Sequence, residues 1–244
     1  MANGLLRYFK QLLTKVGAKL SERTLHSIQM LVNYMMLGRW MKRSGYDFRI
    51  KVDNRRQVFD EVASLVKSDR VLYLEFGVFE GASMRYWSNA LENPASLLHG
   101  FDSFEGLPEE FDSRYPKGWF DVGGRIPSID DDRITFHKGW FEETLPTYVV
   151  PDHDVLVITL DADLYSSTIF VLRQLHSYIV PGTFVYFDDL SRPDHEPRAF
   201  SDFIEETGLR FRPVIADRSL NYAFFECLQP SDESSGAQVG ADSD

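Results

Sequence analysis

The chain has 244 residues, 43% hydrophobic, 14% aromatic and 26% charged, with a single cysteine, Cys227. That suffices for one sizeable domain with a filled core and excludes an intrachain disulfide. The net charge of −11 hides an asymmetry: residues 1–56 hold 12 Lys/Arg against 3 Asp/Glu, and the remainder 14 against 34, so an acidic body argues against nucleic acid as the main partner.

The first helix is expected over about residues 3–19, with Leu5, Leu6, Phe9, Leu12, Leu13 and Val16 on one stripe. Ser21 with Thr24 can cap a second, carrying Leu25, Ile28, Leu31, Val32, Met35 and Met36 and ending near Gly45. Residues 1–56 thus read as a basic N-terminal helical extension. Three roles stay open for it: a solvated face, a homo-oligomer contact with the acidic body of a second subunit, or a peripheral contact with an acidic membrane surface. No stretch reads as a secretory signal or as a bilayer span, and a lone thiol suits a reducing compartment, so a cytoplasmic protein is expected.

Residues 57–228 read as one α/β domain. The runs "VLYLEFG", "SLLHGFD", "ITFHKG", "VLVITLD" and "TFVYFDD" alternate with helical segments, the pattern of an open, doubly wound, mostly parallel sheet. "FRPVIAD" and "LNYAFFECL" are separated only by a short turn. That leaves no room for a crossover helix, so this pair is expected as an antiparallel hairpin. The acidic tail, residues 229–244, is Ser/Gly/Asp-rich and expected to be disordered.

Ligands of such sheets bind beyond the carboxyl ends of the strands. The first ends in "EFGVFEGAS", with Glu75, Gly77, Gly81 and Ser83. The two glycines allow a tight turn and close ligand approach, but the spacing is not the G-x-G-x-x-G of dinucleotide enzymes. A carboxylate before Gly77 suits the amino group of a zwitterionic ligand. The second ends in "GFDSFEGLP", where Asp102 can accept both ribose hydroxyls of a nucleoside or serve as a turn acid. The third ends at Gly139 and Trp140, an adenine wall or core. The fourth and fifth bring Asp161, Asp188 and Asp189 to one rim. Converging carboxylates repel, and a hard divalent cation such as Mg²⁺ resolves the repulsion. Asp163 reads as a cap for the helix beginning at Tyr165, with a second acid of the site as the alternative.

"EFGVFEGAS", "FDSFEGLP", "GWFEETLP", "LDADLYSST" and "FDDL" stand in the order seen in macrocin O-methyltransferase-like proteins, and residues 70–227 resemble that family. The resemblance implies a class I methyltransferase fold, a Rossmann-like seven-stranded sheet with an antiparallel last strand. It implies S-adenosylmethionine as cofactor, Mg²⁺ dependence, and methyl transfer to a hydroxyl of a sugar or glycosylated natural product. By position it puts metal-binding acids at Asp161, Asp188 and Asp189, and cofactor contacts at Glu75, Gly77, Ser83, Asp102, Ser103 and Trp140. Asp161 is also the candidate proton acceptor. Ala162, Glu80 and Leu190 depart from the family pattern, the last two in ways expected to alter the acceptor pocket.

The segment Tyr115–Arg133 is long enough to be a lid, with Trp119, Phe120 and Arg125 as candidate contacts to acceptor or cofactor. His195 is a candidate base or ligand in a loop. Rival readings are a catechol-type small-molecule O-methyltransferase, a metal-independent methyltransferase, and a noncatalytic cofactor-binding partner of a glycan assembly machine.

Overall fold

In the computed structural model of the chain, residues 2–112 and 114–229 are described. The expected disorder beyond residue 229 lies outside them. Two compact units result, one ending at Gly45 and one beginning at Tyr46.

The first unit holds α1 (Ala2–Gly17) and α2 (Glu22–Ser44). Ser21 caps α2, accepting from the Thr24 N–H, and Gly45 ends it at φ +70° while donating to Met41 O. Both ends follow the local chemistry of a hydroxyl cap and a left-handed stop. The apolar stripe from Leu5 to Val16 on α1 is exposed. No helix among the described residues is long and apolar enough to cross a membrane.

The second unit runs β1 (Ile50–Val52), α3 (Arg55–Val66), β2 (Val71–Phe76), α4 (Ala82–Ala90), β3 (Leu97–Asp102), β4 (Ile134–Lys138), α5 (Phe141–Thr144), β5 (Val155–Leu160), α6 (Tyr165–Leu175), β6 (Phe184–Phe187), α7 (Glu196–Thr207), β7 (Arg210–Asp217) and β8 (Ala223–Leu228). The strands form one sheet in the order β1-β7-β8-β6-β5-β2-β3-β4. All pairs are parallel except those of β8, which runs antiparallel to β6 and β7. Every residue of β2 and β6 is buried, as expected of strands covered on both faces.

The sheet has eight strands where seven were expected. The extra one is β1, which pairs Ile50, Lys51 and Val52 with Ile215, Ala216 and Asp217. It covers an edge of β7 that would otherwise present unpaired backbone groups. The β7–β8 hairpin is present, and a buried acid shapes its turn. Asp217 Oδ1 accepts from the N–H groups of Asn221 and Tyr222, and Oδ2 from that of Ser219.

Trp87 of α4 is fully buried and stacks on Tyr73 of β2, ring centroids 5.0 Å apart. Phe59 of α3 packs against Trp87, Tyr186 and Phe224. This aromatic core ties α3 and α4 to the central strands. β2 and β5 are the two strands that flank the reversal of strand order.

Candidate active site

β2 and β5 pair in parallel register up to Phe76 and Leu160. The next residues, Gly77 and Asp161, therefore emerge side by side at the switch point, where open α/β sheets bind ligands. A cavity of about 350 Å³ opens there.

One side of the cavity is built from the turns after β2, β3 and β4: Gly77, Asp102, Ser103, Gly139 and Trp140 line it. Gly77 sits at φ +93° and Gly139 at φ +145°, conformations L side chains rarely adopt. The Asp102 carboxylate braces this side. Its Oδ2 accepts the N–H groups of Val78 and Phe79, each at 2.8 Å, and its Oδ1 that of Phe104 at 2.7 Å. A carboxylate offers about four lone-pair sites, so one remains for a ligand hydroxyl.

Three of the sequence candidates stand back from the cavity wall. Glu75 is buried and accepts a hydrogen bond from the Tyr73 hydroxyl at 3.0 Å. Desolvation, opposed by the charge of Arg55, holds its carboxyl well above the ordinary range. Gly81 adopts φ +76° at the start of α4 against Pro127, and Ser83 is buried in the first turn.

The opposite side carries acids. Asp161, Asp163, Asp188 and Asp189 all line the cavity. Asp163 is not the helix cap it was read as: α6 has Leu164 at its cap position with no side-chain bond. Asp163 instead takes φ +57° and hydrogen-bonds the Asp189 carboxyl. Desolvation first, and like charge second, raise the carboxyls of Asp161, Asp163 and Asp189 above the usual carboxylate range. Glu196, buried at the start of α7, accepts the Asp189 N–H at 2.9 Å.

Sequence reasoning missed the cations here. Arg55, in the first turn of α3, donates through Nη2 to Asp161 Oδ2 at 2.7 Å, and its Nε lies 3.0 Å from Asp188 Oδ1. Arg192 lines the cavity and pairs with Asp112 at 3.3 Å. A signal for Arg55 was available. Arg55 and Arg56 follow the Asn54 cap directly, at the helix end where the dipole disfavours cations. A carboxylate partner elsewhere in the chain accounts for such a placement.

Asp161, Asp188 and Asp189 fit a hard divalent ion in donor chemistry, and the excess of acids over guanidiniums favours one. Their arrangement is not closed around an ion. Arg55 engages two of the three, and no cluster of three or more His, Cys, Asp or Glu side chains among the described residues is gathered closely enough to hold a metal.

Aromatic rings complete the wall: Phe79, Phe111, Tyr115 and Phe120. Phe79 and Phe120 hold positive φ, strain that clusters at ligand sites. The expected lid segment thus contributes Tyr115 and Phe120. Trp119 packs on Tyr115, and Arg125 donates to Val122 O; neither lines the cavity. His195 lies against Phe111, ring centroids 4.4 Å apart, also off the wall. Of the departures from the family pattern, Ala162 lines the cavity. Leu190 is fully buried and Glu80 exposed, and neither lines the cavity.

This is the fold of class I methyltransferases. It is similar to the structure of the O-methyltransferase NovP, with a TM-score of 0.54 at 24% identity over 72% of this chain and 78% of that one. It is also similar to CalS11, a calicheamicin methyltransferase, with 0.52 at 21% over 89% and 85%. Within that class, residues 125–217 match the model of the macrocin-O-methyltransferase (TylF) family, which bears out the resemblance carried by the motifs. One relative, a tetracenomycin-C rhamnosyl 4'-O-methyltransferase of Streptomyces olivaceus, is 32% identical over 57% of this chain and 59% of its own length. Another, the mycinamicin III 3''-O-methyltransferase of Micromonospora griseorubida, is 36% identical over 48% and 52%. The chain thus aligns with little more than half the length of these curated relatives.

Proposed function

We propose that the chain is an S-adenosylmethionine-dependent O-methyltransferase acting on a hydroxyl of a sugar or glycosylated small molecule. The observation that carries this reading is the two-sided cavity at the switch point, with a glycine and Asp102 wall facing an acidic rim. Relatives named as methyltransferases of glycosylated natural products support it.

Bound S-adenosylmethionine supplies an electrophilic methyl group. Transfer to the acceptor oxygen would break the C–S bond as the C–O bond forms and would release S-adenosylhomocysteine. Gly77, Ser103, Gly139 and Trp140 line the cofactor side, where Asp102 offers its free lone pair to the ribose. Gly81, Ser83 and Glu75 shape that side from behind. Asp161, on the facing rim, takes the acceptor's proton. Were a divalent ion to enter, Asp161, Asp188 and Asp189 are the acids that would have to close around it, and its chemistry would be to acidify and orient an acceptor hydroxyl. The aromatic wall of Phe79, Phe111, Tyr115 and Phe120 offers an apolar surface for the acceptor and excludes water. Holding the reacting atoms aligned is worth about 7–11 kcal/mol at its limit.

Titration of the purified protein with S-adenosylhomocysteine, first with Mg²⁺ and then with chelator, tests the reading. Saturable binding in both conditions is expected, with the metal serving the acceptor side. A folded sample that binds in neither is not this enzyme, whereas binding without turnover on any acceptor selects the noncatalytic reading.

A further inference from the structure

Arg55 serves neither the motifs nor the proposed transfer, yet it sits at the centre of the acidic rim. Its guanidinium reaches Asp161 Oδ2 at 2.7 Å and lies with Nε 3.0 Å from Asp188 Oδ1. The Tyr186 hydroxyl donates to that same Oδ1 at 2.6 Å. The guanidinium carbon also lies 5.3 Å from the ring centre of Phe59, 5.7 Å from Tyr186 and 5.9 Å from Tyr222. Three rings and two carboxylates give this cation a built seat, the environment that suits a planar, weakly hydrated guanidinium.

We propose that Arg55 is a tethered counter-cation that competes with a divalent metal ion for Asp161 and Asp188. The inference rests on those carboxylates being the metal-binding set of the proposed function. A carboxylate oxygen binds Mg²⁺ at about 2.0–2.1 Å and gives its lone pair to the ion. The lone pairs facing Arg55 cannot serve both cations, and two positive charges between the same carboxylates repel. Metal therefore gains full hold of Asp161 and Asp188 only when the guanidinium leaves its seat. With Arg55 in its seat the charge of Asp161 and Asp188 is partly neutralised. Arg192 does not substitute, because it pairs with Asp112.

The test uses the full chain and Mn²⁺ as the probe, followed by electron paramagnetic resonance. Arg55→Gln is expected to bind Mn²⁺ about tenfold or more tightly than the parent, with Arg55→Lys in between. In the parent, Mg²⁺ is expected to shift the Arg55 Nε–H resonance with the midpoint at which it displaces Mn²⁺. That measurement decides the matter if the glutamine variant does not fold. Unchanged or weaker Mn²⁺ binding in a folded Arg55→Gln, binding in neither protein, or an unmoved Nε–H signal overturns the proposal. S-adenosylhomocysteine is titrated into the same samples. If it binds while Mn²⁺ affinity stays flat, the competition fails and the methyltransferase reading stands. If it does not bind to the parent, that reading fails, and the Mn²⁺ comparison still decides the competition.

Discussion

A Cβ placed on Gly77 would stand 1.8 Å from the carbonyl oxygen of Asp161, so the turns after β2 and β5 touch backbone to backbone at the mouth of the cavity. The obstacle is main chain and cannot rotate away, and φ of +93° adds strain for any side chain. Gly77→Ala is expected to cost about 2 kcal/mol or more of stability and to abolish S-adenosylhomocysteine binding. Urea denaturation and calorimetry check both. A stability within about 0.5 kcal/mol of the parent would show that the two turns separate freely.

Asp102 holds three backbone N–H groups from two turns with one carboxylate. In Asp102→Asn the new amide nitrogen offers donors where an acceptor is needed. The expected loss is about 1–3 kcal/mol, with S-adenosylhomocysteine binding weakened about tenfold or more. Calorimetry at matched folded fraction separates the two effects. Unaltered affinity would place the nucleoside away from Asp102.

Asp161→Asn keeps the shape of the rim and removes the proton acceptor. Turnover on a competent acceptor is expected to fall about 100- to 10,000-fold, with S-adenosylhomocysteine affinity retained. If cofactor affinity collapses in a folded variant, Asp161 belongs to the cofactor side.

His99 on β3 lies beside His137, with its Nδ1 2.7 Å from the Tyr148 hydroxyl. Desolvation, then the neighbouring His137, push the ring's pKa down to about 4. The unfolded chain, with a histidine pKa of about 6.5, binds the proton first on acidification. This contribution is therefore complete above about pH 6.5 and is lost as pH falls toward 4. His99→Phe is expected to be less sensitive to acid than the parent across that window. Denaturation midpoints at pH 7, 5.5 and 4.5 check the difference, and parallel curves would remove the role assigned to His99.

The strand-ending motifs were legible because their signals are local. "VLYLEFG", "VLVITLD" and "TFVYFDD" are largely apolar runs that end at glycine or acid, so Gly77, Asp161, Asp188 and Asp189 were set on one rim before any pairing was known. Asp163 was misread because its cue, an acid before "YSST", is a capping cue, and only the turn geometry shows the side chain aimed at Asp189. That Leu190 and Glu80 do not line the cavity was not legible, because proximity to a motif in sequence does not reveal which way a side chain faces. The strand β1 is three residues long, too short to carry a periodicity of its own, and it exists because β7 needs a partner.

What the sequence by itself determined is whatever depends on neighbours along the chain: the alternation of strand and helix, the hairpin at the end, the helix stop at Gly45 and the acids at the strand ends. What only the tertiary structure decided is which charges meet. Arg55 and Asp161 are 106 residues apart, and nothing local to either names the other. The aromatic core that docks α3 on the central strands brings the guanidinium over the carboxylates, because burying rings fixes the helix in place and the charge is carried with it.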